Sequence, residues 1–257
     1  MISVIMLTYN RESMVGRAIE SILNQTYRDF EYIIVDNGSD DRSGEIADAY
    51  AAKDPRIKVL HIEKSNIGTG RNIGLDAATG EYITFIDDDD TAEPDMLEFL
   101  YGLAKEQDAD ISLSGSMKEV NGEFLPNCMF DEKLVMTPEE AVITLLRRKK
   151  YNAAMPSKLM RREIFDKIRF RTEGKYDDIT VVYKYFAEAK KVVAYGLPKY
   201  CFWRHSGNNS AFTINGLLLT PEQLDEYFEA FRERTEYLSE KLPDIADYAQ
   251  YLSLIHI

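Results

Sequence analysis

The segment Tyr82-Ile-Thr-Phe-Ile-Asp87-Asp88-Asp89-Asp90 is an apolar, β-prone run that stops in four consecutive carboxylates. Adjacent carboxylates repel one another, and at the mouth of a buried strand some must lose water. The run therefore costs stability unless a cation compensates it. A divalent metal ion is the natural partner. The alternative is a solvated acidic turn that caps a helix starting near Pro94, since Asp is favoured at caps and Pro in the first helical turn. Four carboxylates in a row at the end of a Phe-Ile strand favour the metal.

Other residues could share that chemistry. Among the three histidines, His61, His205 and His256, none stands beside a Ser or Cys in a nucleophile motif, which argues against triad hydrolysis. His61 lies inside an apolar strand and reads as a satisfied structural residue. His205 sits in Trp203-Arg204-His205-Ser206-Gly207, after an aromatic strand, and is a candidate metal or phosphate contact, with a surface histidine as the alternative. Gly68-Thr-Gly70-Arg71-Asn-Ile73-Gly74 fails as a dinucleotide fingerprint because residue 73 is Ile, and there is no P-loop. As geometry it is a tight loop into a helix, and Arg71 is sited where a guanidinium could pair with a diphosphate.

The elements that would position these residues follow from periodicity. Ile2 to Leu7, Tyr32 to Val35, Ile57 to Ile62 and Tyr82 to Ile86 read as strands, with helices at Arg11 to Leu23, Ser43 to Ala52 and Thr69 to Ala78. Near-continuous apolar strands with helical crossovers imply a mostly parallel α/β sheet covered on both faces. Ligands in such sheets bind beyond the carboxyl ends of the strands, where Thr8-Tyr9-Asn10, Asp36 to Ser39 and Asp87 to Asp90 all fall. Past Leu100 the texture is α+β, with a hairpin at Asn121-Gly122 and a helix at Pro138 to Arg148. Another helix begins at Tyr176-Asp177-Asp178, because Ile179, Val182, Tyr183 and Phe186 share one face, so its first turn carries two carboxylates. In the last long helix, Pro221 to Leu242, the stripe Leu224, Phe228, Phe231, Leu238 and Leu242 reads as core packing or docking.

The bulk composition bounds the answer. A chain of 257 residues, 45% hydrophobic and 11% aromatic, can build a full core, and a formal charge of −13 repels nucleic acid and anionic lipid over most of its surface. A phosphate ester would need a metal or a local Arg. No apolar run is long enough to span a bilayer, and Met1 leads directly into a strand, so the expectation is a cytoplasmic protein. Cys128 and Cys201 lack metal or disulfide spacing and read as small buried residues.

Taken together, Val4-Ile-Met-Leu-Thr8-Tyr9-Asn10, Gln25-Thr-Tyr27, Glu31-Tyr-Ile-Ile-Val-Asp36-Asn-Gly-Ser39-x-Asp41, Asn66-Ile-Gly68-x-x-Arg71-Asn72-x-Gly74 and Gly80-Glu81-Tyr-Ile-x-Phe-Ile-Asp87-x-Asp89-Asp90 resemble glycosyltransferase family 2 with a GT-A fold. The order and spacing hold across the first 100 residues. The remainder resembles the family more loosely, through Ser157-Lys-Leu159, Asp177-Asp178 and the Tyr200 to Ser210 loop. The resemblance implies a nucleotide-sugar half at 1–105, an acceptor-side half at 106–220 and a helical segment at 221–257. It implies that Tyr9 and Asp36, with Thr8, Asn10, Gly68, Arg71 and Asp88 nearby, hold a UDP-sugar. Asp87 would contact ribose, and Asp89, with Asp87 and His205, would ligate Mn²⁺ or Mg²⁺. Asp178, or alternatively Asp177, would be the base of an inverting transfer. The family's usual Glu-Asp is Asp177-Asp178 here, and its usual Asp-Asp-Gly-Ser is Asp36-Asn37-Gly38-Ser39, so a second carboxylate contact to the nucleotide is in question.

Two other classes remain at this stage, a nucleotidyltransferase and a non-catalytic nucleotide-sugar-binding module. The first normally carries a Gly- and Lys-rich loop that Ile2 to Glu12 lacks. The acceptor, saccharide or lipid-linked, is not legible. The basic tract of Arg147 to Lys150 with Arg161, Arg162, Lys167, Arg169 and Arg171 reads as solvated or as a peripheral contact with a lipid-diphosphate acceptor at the inner membrane face. The last six residues, Leu252 to Ile257, equal the translation of CTG TCT CTT ATA CAC ATC, a transposase end sequence, so an artificial terminus at 252–257 is expected.

Overall fold

The computed structural model of the chain describes all residues except 175, 206, 209–219 and 257, and for 253–256 the backbone alone. The side chains of 253–257, and most of the Tyr200 to Ser210 loop beyond Asn208, thus lie outside the described residues.

The first part alternates strand and helix: β1 Ile2–Thr8, α1 Val15–Leu23, β2 Phe30–Asp36, α2 Ser43–Ala51, β3 Ile57–His61, α3 Ile67–Ala77 and β4 Tyr82–Asp87. The strands pair in parallel in the order β3-β2-β1-β4. In β1, Ile5 joins the core on one face of the sheet while Val4 and Met6 join the core on the other, as the period of two requires. In register, Thr8 lies opposite Asp36, Leu7 opposite Asp87 and Asp36 opposite His61, so the polar strand ends share one edge.

The second part comprises β5 Thr91–Ala92, α4 Met96–Gln107, β6 Ile111–Val120, β7 Glu123–Cys128, β8 Phe130–Met136, α5 Pro138–Arg147, β9 Lys158–Arg161, α6 Arg162–Lys167, α7 Asp178–Glu188, β10 Val192–Arg204, α8 Pro221–Lys241, a 3₁₀ turn at Pro243–Ile245 and α9 Ala246–His256. It extends the same sheet as β4-β9-β6-β10-β5, with β7 added to β6 and β8 to β10. Here β9 runs antiparallel to both β4 and β6, and β5 and β8 antiparallel to β10. The sheet is therefore mixed rather than mostly parallel. Strands joined by tight turns pair antiparallel, as β6 and β7 do across Asn121-Gly122, where both residues take positive φ (53° and 88°).

Three details depart from expectation. α1 begins at Val15 rather than Arg11, because the Arg11 amide donates to Ser43 Oγ (2.7 Å) and Asn10 adopts φ 52°, which holds residues 9–12 out of helix. In α8 the buried side chains include Ala230, Phe231, Arg234 and Leu238, whereas Leu224 and Phe228 are exposed. Phe228 follows Tyr227, whose ring meets Tyr176 at 4.2 Å, and one residue is a turn of about 100° away from that face. Cys128 is half-buried, not buried; Cys201 is buried as expected. These facts fix a contrast in stability. Phe186→Ala, in a fully buried ring stacked on Tyr151, should cost about 3–5 kcal/mol by urea denaturation. Phe228→Ala should stay within about 0.5 kcal/mol of the parent.

Candidate active site

The four carboxylates leave β4 in four directions, each set by a different element. Asp87 ends the strand and keeps a side chain 40% exposed to the cleft, facing Arg71 Nη2 at 3.5 Å. Asp88 turns back under β1, accepting the Tyr9 N–H (3.1 Å) and facing Arg11 Nε at 3.7 Å. Asp89 points to the segment after β10: its Oδ2 lies 2.9 Å from His205 Nε2 and accepts the Asn208 amide (3.1 Å). Asp90 is structural. It accepts the Tyr200 hydroxyl (3.0 Å) and the Trp203 N–H (2.8 Å), which ties the acidic turn to β10.

Crowding these groups out of water has a chemical consequence. Loss of solvent pushes Asp87 up to about 7, repulsion from Asp89, Asp178 and Asp88 adding to it while Arg71 opposes. The same desolvation, with Asp89 beside it, pushes Asp88 up to about 7, against the pull of Arg11. Asp90 also rises, through burial and then through Asp87 and Asp89. The cleft is short of positive charge.

Two cations that sequence reading missed partly supply it. Arg11, in the turn after β1, reaches Asp88 and lies 4.0 Å from Asp89 while its Nη2 donates to the Gly207 carbonyl (2.9 Å). Arg17, in the first turn of α1, donates to the Asp89 carbonyl (2.7 Å) and stacks 3.7 Å over Trp203. The only signal for them was their place just past the first strand end.

The second group of carboxylates enters from α7. Arg71, carried by α3 and buried between Phe85 and Phe170, bonds Asp177, bonds Asp178 at 2.6 Å and faces Asp87. The guanidinium of Arg71, expected at a diphosphate, is engaged by three carboxylates and ties the α7 pair to the strand end. A Cβ at Gly68 would run into the Arg171 carbonyl, so the glycine is needed for the close packing of α3. Burial first, then repulsion from Asp178, pushes Asp177 up to about 6 despite Arg71. Neither carboxylate makes a side-chain cap at the start of α7; Asp178 is the more open, 31% exposed against 13% for Asp177.

At the other end of the cleft, β1 and β2 set out Thr8, Tyr9, Asn10 and Asp36. Thr8 is fully buried and supports the edge from beneath, its carbonyl accepting the Asn37 N–H (2.9 Å). Asn10 braces the 39–40 loop, its N–H donating to Ser39 Oγ and its Oδ1 accepting the Asp40 N–H. Tyr9 presents its ring at the surface of the cleft with the Lys64 ammonium over one face. Asp36 is nearly buried, its Oδ1 accepting the Ser39 N–H (3.1 Å). Asn37, where a second carboxylate was in question, exchanges bonds with Ser65, Nδ2 to its carbonyl and Oδ1 from its N–H, both at 2.9 Å. It is a strut between two loops, and a carboxylate there would face the Ser65 carbonyl.

The donors expected for a cation are only partly gathered. Asp89 and His205 meet, Asp87 turns toward Arg71, and among the described residues no three His, Cys, Asp or Glu side chains form a ready cage. Hard carboxylate oxygens with one imidazole nonetheless suit Mn²⁺ or Mg²⁺. His61, read as a satisfied structural residue in its strand, closes β3 with both ring nitrogens bonded, one to Asp36 and one to Asp48, and its side chain is 51% exposed.

Raised carboxyls have a sign. Asp177 titrates near 6 in the fold against 3.8 unperturbed, so its contribution to stability is fully present below about pH 4 and is lost as pH climbs through 6. In metal-free protein, Asp177→Asn should therefore flatten that loss. Its unfolding free energy at pH 7.5 should equal or exceed the parent's, by an amount on the order of 1 kcal/mol; a clear drop in calorimetry would contradict the assignment.

Comparison with known proteins fits this geometry. The family model "Glycosyl transferase family 2" matches residues 3–169. The Streptococcus pneumoniae serotype 4 glycosyltransferase GlyG is 34% identical over 219 residues, 81% of this chain and 72% of that protein. The Bacillus spizizenii poly(ribitol-phosphate) beta-glucosyltransferase is 31% identical over 199 residues, but the chain spans only 30% of it. The crystal structure of S. aureus TarS 1-349 in complex with UDP-GlcNAc superposes with a TM-score of 0.81 at 24% identity, over 98% of this chain and 71% of that one, and shares its fold. The chain thus belongs to glycosyltransferase family 2, and is a glycosyltransferase of the GT-A fold.

Proposed function

We propose that the enzyme moves a sugar from a UDP-sugar to a hydroxyl acceptor, with inversion at the anomeric carbon. The observation that carries this reading is the convergence of Asp177 and Asp178 from α7 on the cleft of Asp87–Asp89, through the shared Arg71. Asp178, the more open of the pair, is the base: it takes the acceptor hydroxyl proton as the oxygen attacks the anomeric carbon and the bond to the diphosphate breaks. Arg71 holds its carboxylate in position. Tyr9 stacks on uracil, Asp36 accepts a hydrogen bond from its imide N–H, and Asp87 meets the ribose. Asp89 and His205 would hold Mn²⁺ or Mg²⁺, which when bound neutralises the leaving diphosphate. Arg11, beside Asp88 and Asp89, adds a fixed positive charge at the same end.

The UDP-sugar reading draws support from S. aureus TarS, whose crystal structures include complexes with UDP-GlcNAc and with UDP. Family membership sets aside the nucleotidyltransferase and the non-catalytic module. The acceptor is proposed as a saccharide or lipid-linked saccharide of the cell surface. A membrane-facing basic tract gains little support, because Arg147, Lys150, Arg161, Lys167, Arg169 and Arg171 are engaged by Tyr248, Glu132, Glu81 with Asp108 and Asp110, Glu188, Asp76 and Glu233. Among the described residues no helix is long and apolar enough to cross a membrane.

A screen of donor sugars by UDP release identifies the substrate, and one variant tests the chemistry. Asp178→Asn keeps the shape and should remain folded and bind UDP, yet lose roughly 10²- to 10⁴-fold in transfer rate. Near-native transfer by Asp178→Asn with loss in Asp177→Asn would move the base to Asp177; full activity in both would refute the α7 pair.

A further inference from the structure

His61 lies outside the reacting centre, yet the fold builds a specific seat for it. The β2–β3 register places it directly opposite Asp36, on the same face. Its Nδ1 lies 3.0 Å from Asp36 Oδ2 and its Nε2 3.1 Å from Asp48 Oδ1 on α2. Gly44, in the first turn of α2, lets that helix lie over the pair: a Cβ there would come within 2.6 Å of Asp36 Oδ2 and 3.2 Å of His61 Cε1. With the Ser39 N–H on Oδ1, both oxygens of the nearly buried Asp36 carboxylate are pinned. The charged groups that face the imidazole, Asp36 from β2 and Asp48 from α2, are both acidic.

We propose that His61 is the positioning residue for nucleobase recognition: as an imidazolium bridging Asp36 and Asp48 it sets the angle at which Asp36 meets the donor base, so that donor affinity depends on its protonation. This rests on Asp36 being the uracil acceptor. An imidazolium donates from both nitrogens at once. Neutral imidazole has a single N–H, so one carboxylate must then face a nitrogen lone pair. If the proton stays on Nδ1, the half-exposed Asp48 swings to water and the ring loses its second anchor. If it stays on Nε2, Asp36 itself is released. The Asp36 bond raises the His61 pKa above the ordinary histidine value, burial opposing and Asp48 adding. The bridge is therefore complete at low pH and is lost as pH rises through that raised value.

The test is a titration with UDP and saturating Mg²⁺ between pH 5.5 and 8.5 for the parent, His61→Gln, Asp48→Asn and Asp36→Asn, read as the difference between parent and His61→Gln so that the titration of UDP itself cancels. The parent should lose roughly 2- to 10-fold in affinity across one transition above the ordinary histidine value. That transition should be absent from His61→Gln and shifted to lower pH in Asp48→Asn. In turnover, the effect should appear in the donor KM with kcat unchanged. Parallel profiles for the parent and His61→Gln, or a loss confined to kcat, overturn the proposal. If Asp36→Asn weakens UDP while His61→Gln does not, the inference alone fails. If Asp36→Asn binds UDP as the parent does, the uracil reading fails with it.

Discussion

The cleft is organised by an excess of negative charge that the protein holds with too few cations of its own. Asp87, Asp88, Asp89, Asp177 and Asp178 converge on Arg71 and Arg11, and desolvation moves Asp87 and Asp88 up to about 7 and Asp177 to about 6. Removing one partner from such a buried network leaves an uncompensated charge, so each group constrains the next. The arrangement is unfavourable for folding and suited to chemistry, because the missing charge can be supplied by ligands at the moment of turnover.

The rest of the fold keeps that cluster in place. Parallel pairing of β1, β2 and β4 puts Thr8, Asp36 and Asp87 on one edge, and α3 carries Arg71 across to the start of α7. Asp90 secures the acidic turn to β10 through Tyr200 and Trp203, so the segment that carries His205 leaves the sheet beside Asp89. The acidic end of β4, the start of α7 and the end of β10, far apart in sequence, are thereby joined by short polar links.

Much of this was legible because the signals were local. Buried runs such as Ile2–Leu7, the acidic terminus of β4, the Asn121-Gly122 turn and the carboxylates opening α7 are written in adjacent residues. What escaped depends on partners distant in sequence. That Arg71 pairs with Asp177 and Asp178 depends on where α7 lands, and that Gly68 must lack a side chain depends on the Arg171 carbonyl packed against it. Asn37 is a strut because Ser65 arrives from another loop, and His61 is a bridge because the β2–β3 register delivers Asp36. The mixed pairing of β9 and the exposure of Phe228 likewise depend on which elements meet, which periodicity alone does not encode.

Central to the proposed mechanism is that this acidic cleft accepts its nucleotide together with a cation at Asp89. Calorimetry of UDP binding with and without Mn²⁺, in the parent and in Asp89→Ala, tests it most directly. The metal should tighten UDP binding to the parent and leave binding to Asp89→Ala unchanged. Equal UDP affinity in all four measurements would contradict it.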